Sequence, residues 1–276
     1  SCSPCHPLYM IRLLSETVHD LPEALGFRVG RKGVHNSRTL SLDDLRTLLR
    51  ELPAEASNAE YRTAVKEQNI LAKQTASTRH YVIQRLSQLY GLDPSIPIFR
   101  IFRTLWDRSD AGRPLLALLL ALARDPILRT TAEPVLSMDT GETLDKADLQ
   151  AVIKEVEGDR FNATSVKKIA QMTASTWMQS GHLDGRYTKV RQRPTCTVTT
   201  TAYALLLGSL CDVRGSRLFD TFWIQVLDAP DHEVHEYAQQ ASRRGLLTYR
   251  NAGGIIEVDV SPMLTDEEAK QIREQS

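Results

Sequence analysis

Nine consecutive apolar residues, Leu115–Ala123 (LLALLLALA), stand between Arg113 and Arg124. A membrane span needs roughly 20 such residues, and a surface helix keeps a polar face. The run therefore predicts a core helix enclosed on every side. A chain of 276 residues is long enough to enclose it, with about two domains expected from length. A hydrophobic fraction of 42% and a charged fraction of 25% are ordinary for a soluble globular protein.

The first half reads as helices separated by turns. An amphipathic helix is expected over Leu8–Val18, and a glycine-rich loop or small hairpin over 26–40. Ser41 is placed to cap a helix with Asp43 and Asp44 in its first turn, where the helix dipole favours anions, and Pro53 stops it. Further helices are expected at about 58–71, from Ser77 or Thr78 to Gly91, over Ile96–Trp106 and from Pro114 to Arg124. Beyond 126 come helices near 126–137, 143–157 and 163–180. Short strands HL and TCTVT (195–199) and a helix at 201–211 follow. Residues 231–244 form a last helix. Leu246–Arg250 and Ile255–Val260 alternate as two strands around NAGG, a strong hairpin turn. The fold class is mainly α with small β-hairpins.

Formal net charge is zero but unevenly spread. Residues 1–130 hold 18 basic and 13 acidic side chains, and 131–276 hold 16 and 21. Within the acidic half, Phe161–Arg217 carries eight cations against only Asp184 and Asp212. Localised positive charge on a neutral protein points to a defined anionic partner. A helix over 163–180 with Lys167 and Lys168, followed by a hairpin with Arg186, Lys189, Arg191 and Arg193, has the outline of a winged helix. Such a domain lays its helix in a DNA groove and its hairpin beside the phosphates. The alternative is plain solvated surface. Trp177, on the apolar face of the helix, reads as core. The turn Lys73–Arg79, with Thr75 and Ser77, offers a phosphate site at a helix start or simple capping.

Other motifs fail on geometry. Cys2-Ser3-Pro4-Cys5-His6 matches a haem-attachment string and a zinc half-site, but Cys196 and Cys211 supply no second CxxC. In His232-Glu233-Val234-His235-Glu236 the histidines stand three apart, not the four that a zinc HExxH helix needs. Asp139, Glu142, Asp145 and Asp148 suggest a metal-dependent nuclease, but Asp145 and Asp148 fit a capped, acidic first turn near Thr143 and no catalytic lysine is placed beside them. No P-loop, dinucleotide fingerprint or nucleophile elbow is present. The expectation is no catalytic site, no metal and no cofactor. With no secretory leader visible and four cysteines too few for a disulfide framework, the cytosol is the expected compartment.

Two segments, LAKQTASTRHYVIQRLSQL (71–89) and SVKKIAQMTASTWMQSGHLDGRYTKVRQRPTCTVTTTAYALL (165–206), together resemble the BrxA family, a DNA-binding component of BREX phage-defence systems. Ser180-Gly181-His182-Leu183 stands where that family ends its helix in Ala-Gly-Tyr-Leu. The resemblance implies a NusB-like N-terminal helical bundle followed by a winged helix, and duplex DNA binding without catalysis beside other defence proteins. This chain adds an N-terminal segment and a C-terminal extension. The expected organisation is an extension over 1–40, a helical bundle over 41–125, a winged-helix domain over 126–211, and a second winged-helix-like segment over 212–276. A protein–protein adaptor in a defence or transcription complex is the competing reading.

Overall fold

The apolar run is a helix covered on all faces: every residue from Leu115 to Arg124 is buried. A second such helix, Val198–Leu210, buries all of its residues as well. The computed structural model describes residues 23–29, 33 and 39–275, with side chains to 270. The expected helix Leu8–Val18, the Cys2–His6 string and most of the 26–40 loop lie outside the described residues.

In chain order the helices are α1 (Leu42–Glu51), α2 (Asn58–Lys66), α3 (Ala76–Tyr90), α4 (Pro97–Trp106), α5 (Arg113–Arg124), α6 (Pro126–Thr130), α7 (Ala132–Leu136), α8 (Lys146–Glu157) and α9 (Ala163–Gln179). Then follow β1 (Leu183–Asp184), β2 (Val190–Arg191), α10 (Val198–Leu210), α11 (Phe222–Gln225), α12 (Asp231–Arg243), β3 (Thr248–Ala252), β4 (Ile255–Asp259) and α13 (Asp266–Gln275). The molecule is mainly helical with two small antiparallel hairpins, β1–β2 and β3–β4. No described helix is long and apolar enough to cross a membrane.

Local chemistry explains the boundaries. Ser57 and Glu60 form a reciprocal capping box at α2. Pro sits in the first turn of α4, α5 and α6, where a missing N–H costs nothing. Asn162 caps α9 by accepting from Ser165 N at 2.9 Å. Gly253 and Gly254, both at positive φ (58° and 84°), make the two-residue turn of β3–β4.

Several boundaries differ from expectation. Ser41 precedes α1 in the left-handed region and makes no side-chain cap bond. Thr75, not Ser77 or Thr78, caps α3. The stretch 195–199 is not a strand: Thr197 and Thr200 form a capping box that starts α10. Its β-branched threonines favour a strand locally. Burial of every face of the following helix overrides that preference. The strand that pairs with β1 is instead Val190–Arg191, in the register Leu183↔Arg191.

Residues 143 and 144, placed at a helix start by sequence, instead run alongside β2 together with Gly141 and Glu142. Thr143 bridges Val190, and Arg191 N donates to Glu142 O at 2.8 Å. Two short helices, this extended segment, α8, α9 and the β1–β2 hairpin thus follow one another. A similar order recurs as α10, the Gly215–Asp220 turn against β4, α11, α12 and β3–β4.

α10 packs on α4 and α5 on one side and on α11 and α12 on the other. The apolar core consequently runs unbroken from Leu25 to Val260, and the boundaries expected at 125 and 211 do not divide it. Leu206, fully buried in α10, tests this: Leu206→Ala should cost about 3 kcal/mol. Urea denaturation should show one transition, with both halves of the chain lost together.

Candidate nucleic-acid interface

α9 buries Val166, Ile169, Ala170, Thr173, Ala174 and Trp177. Trp177 is core, its Nε1 donating to Thr131 Oγ1 at 3.0 Å. The opposite side exposes Thr164, Lys167, Lys168 and Gln171, with Ser175 and Met178 half-buried on the same side. Neither lysine has an acidic partner among the described residues. Met178 ends this row, and the hairpin touches it there: Lys189 Nζ donates to Met178 Sδ at 3.2 Å. The exposed row of α9 and the β1–β2 hairpin are therefore contiguous.

The hairpin cations divide into two pairs. Arg186 and Arg193 are exposed, and Arg186 lies 5.4 Å from the centroid of the Tyr187 ring. Tyr187, 80% exposed, was not singled out from sequence, although an aromatic beside an arginine in a Gly-led turn was the available signal. Gly185 makes this turn possible, since a Cβ there would lie 2.1 Å from the Thr188 carbonyl oxygen.

Lys189 and Arg191 correct the sequence reading: neither is a surface cation. Lys189 is buried, and its ammonium also donates to Gly185 O at 3.1 Å. Burial, and then the Lys146 charge, lower its pKa against the pull of Asp184. Arg191 is 1% exposed. Its Nε donates to Val135 O at 2.9 Å, its Nη1 to His182 O at 3.3 Å and to Gln192 O, and its Nη2 to Asp228 Oδ2 at 2.8 Å. It fastens the hairpin to α7 and to the turn after α11, and no phosphate can reach it.

The Lys73–Arg79 turn is similarly tied up internally. Lys73 Nζ is 2.7 Å from Asp44 Oδ1, and Thr75 Oγ1 accepts from Thr78 N. Ser77 is exposed, and Arg79 is half-buried with its Nε buried and unbonded. Between this turn and the hairpin lies the acidic start of α1. Gln179 at the end of α9 reaches it, donating to Thr39 Oγ1 and accepting from Leu42 N. Among the described residues no hydrogen bond or ion pair joins 73–79 to the basic row.

The other motifs are structural. His235 stacks on Phe219 at 4.1 Å between centroids, with Nδ1 3.0 Å from Tyr249 Oη. Asp145 caps α8 at Ala147 N. Among the described residues no three His, Cys, Asp or Glu side chains converge as a metal site. Burial pushes the Cys211 thiol up to about 12, which makes it a poor nucleophile at neutral pH.

The two helix–hairpin units end their long helices alike. Gly181 N and His182 N donate to Met178 O and Trp177 O, while Gly245 N and Leu246 N donate to Ser242 O and Ala241 O. Both glycines have positive φ, 91° and 69°. Buried Leu183 and Leu247 then lead into the hairpins. Aligning these stops sets Lys167, Lys168 and Gln171 against Asp231, His232 and His235. In the second hairpin Arg250 pairs with Glu257 at 3.4 Å, and the tip residue Ile255 is 77% exposed. One backbone plan thus carries a cationic helix face in the first unit and an acidic, histidine-bearing one in the second.

No protein-family model and no curated protein matches this chain. Two predictions follow from the hairpin's anchor. Arg191→Ala leaves Asp228 and several carbonyls without their donor and should cost about 3 kcal/mol or more in urea unfolding. His182, buried between Ser180 and Val226 O, is held at about 3, first by burial and further by the Arg191 cation, against the Val226 hydrogen bond. The unfolded imidazole titrates near ~6.5, so the unfolded state takes up the proton first as pH falls. Stability from this group is complete above ~6.5 and drains toward pH 3 with a slope approaching ~1.4 kcal/mol per unit. Through this group the unfolding free energies at pH 7.5 and 5.5 should differ by about 1.4 kcal/mol in total, the limiting slope being reached only below that window, and His182→Gln should flatten the pH dependence. Equal slopes would refute this role for His182.

Proposed function

We propose that this chain is a non-catalytic double-stranded DNA-binding protein whose segment 126–193 works as a winged helix. The observation that carries this reading is the row Thr164, Lys167, Lys168 and Gln171, its lysines unpaired among the described residues, running through Met178 into the hairpin of Arg186 and Arg193. In this reading α9 lies in the major groove and the hairpin flanks the phosphates with Arg186, Tyr187 and Arg193. In this reading phosphate contacts outnumber obvious base readers, so selectivity for sequence is weak. The strand-like segment 141–144 beside β2 agrees with winged-helix connectivity. The resemblance of 71–89 and 165–206 to the BrxA family extends the proposal to a cytosolic role in phage defence, with a NusB-like bundle as its first part.

A second reading, a protein–protein adaptor, draws on the second unit. Its acidic α12, the Arg250–Glu257 pair and the exposed Ile255 suit a protein surface better than a phosphate backbone. In the DNA reading, therefore, β3–β4 stays off the duplex.

Binding of a labelled duplex across a salt series tests both. Replacing Lys167, Lys168, Arg186 and Arg193 by Ala should weaken binding and reduce the slope of log affinity against log salt by about 3 to 4 units. Arg250→Ala should leave the slope unchanged. Failure of the unaltered protein to bind duplex at low ionic strength would overturn the DNA reading and favour the adaptor.

A further inference from the structure

A cavity of about 290 Å³ lies where the turn after α4, the start of α10 and the end of α12 meet. Arg108 and Ser109 line it from the first, Thr199 from the second, and Gln240 and Arg244 from the third. Two arginines, a glutamine and the hydroxyl residues Ser109, Thr197, Thr199 and Tyr237 line it, and no carboxylate does. Two acids stand outside the lining: Glu233 acts electrostatically on Cys196 and Tyr237, and Glu236 acts on Tyr237 and accepts from Gln240 Nε2 at 3.2 Å.

The arginines stand out by what they lack. Along the same part of the chain Arg100 is paired with Glu268, Arg103 with Asp107 and Arg113 with Asp110. The guanidinium groups of Arg108 and Arg244, both exposed residues, have no acidic or hydrogen-bonding partner among the described residues. Arg108 also borders a smaller neighbouring cleft of about 170 Å³, shared with Arg100. At Arg100 the guanidinium is already occupied by the protein's own Glu268 carboxylate. Anion recognition at one end of this arginine row is therefore visible, and the position beside it is unfilled by the chain. The turn is held firmly on α10, since a Cβ on Gly112 would lie 2.6 Å from Thr197 Oγ1.

We propose that this cavity binds a phosphoryl group, bridged by Arg108 and Arg244 and oriented by the hydroxyls that line it, the bidentate chemistry for which guanidinium is suited. Thr197 is four residues after Arg193, within about 14 Å along an extended chain. The phosphoryl group is accordingly either a backbone phosphate of a duplex already held at Arg193 or part of a free phosphate ester. The cavity's chemistry does not depend on α9 entering DNA.

Arg108→Gln/Arg244→Gln, at exposed positions, should fold with an unchanged melting temperature. Two titrations are compared with the unaltered protein, one with inorganic pyrophosphate by calorimetry and one with a duplex across salt. Saturable pyrophosphate binding that weakens at least tenfold in the double variant supports a free phosphate ester. Absence of pyrophosphate binding, with a duplex salt slope reduced by about 2 units, supports a backbone phosphate. Pyrophosphate binding equal in both proteins, or a double variant that matches the unaltered protein in both titrations, overturns the proposal. Lys167→Ala/Lys168→Ala, measured alongside, reports on the α9 interface separately, so failure of one reading is distinguishable from failure of the other.

Discussion

Two helices that are apolar on every face, α5 and α10, set the terms for the rest of the molecule. A helix of this kind is stable only when neighbours remove it from water around its whole circumference. α5 is enclosed by α3, α4, α6 and α9, and α10 by α4, α5, α11 and α12. Because the two also touch each other, the segments before and after residue 125 share one core. The basic helix α9 is carried on this core through its contact with α5, and α12 through its contact with α10. Both hairpins thereby acquire fixed positions despite strands too short to stand alone.

Buried arginines complete the frame. Arg103 donates to Leu49 O and Leu52 O, Arg124 to Gly26 O, and Arg129 to Leu122 O and Arg28 O. Burial lowers Arg124 and Arg129 to about 10, which still leaves them charged at neutral pH. Each binds carbonyls at segment ends, groups that a helix cannot satisfy by itself. Arg191 belongs to this set. Its guanidinium joins α7, the first hairpin and Asp228, so a residue within the most basic stretch of the chain holds the hairpin in place instead of meeting a ligand.

Two units built on one plan differ in surface chemistry. Shared geometry ends with the glycine stops and the buried leucines after them. The side chains that face solvent differ in sign. A fold sets where a helix and a hairpin are displayed, while the exposed residues decide what is recognised. The first unit offers unpaired lysines and arginines. The second offers acids, a histidine locked against Phe219 and Tyr249, and an apolar tip.

Much of this architecture is legible in the residues alone. Apolar spacing marked most helices, nine leucines and alanines marked a buried one, and NAGG marked the second hairpin, because these signals are local. Lys167 and Lys168 were also legible, since their helical position opposite Ile169 and Trp177 requires exposure. Chain neighbours could not reveal that Lys73 would meet Asp44, or that Arg191 would meet Asp228, because those partners arrive through folding. Nor could they reveal that TCTVT would end as the start of an enclosed helix, where burial outweighs strand preference. Sequence by itself determined most of the helical segments and where positive charge is concentrated. Tertiary structure alone decided which of those charges face water, because desolvating a cation is tolerated only where distant carbonyls and carboxylates converge to receive it.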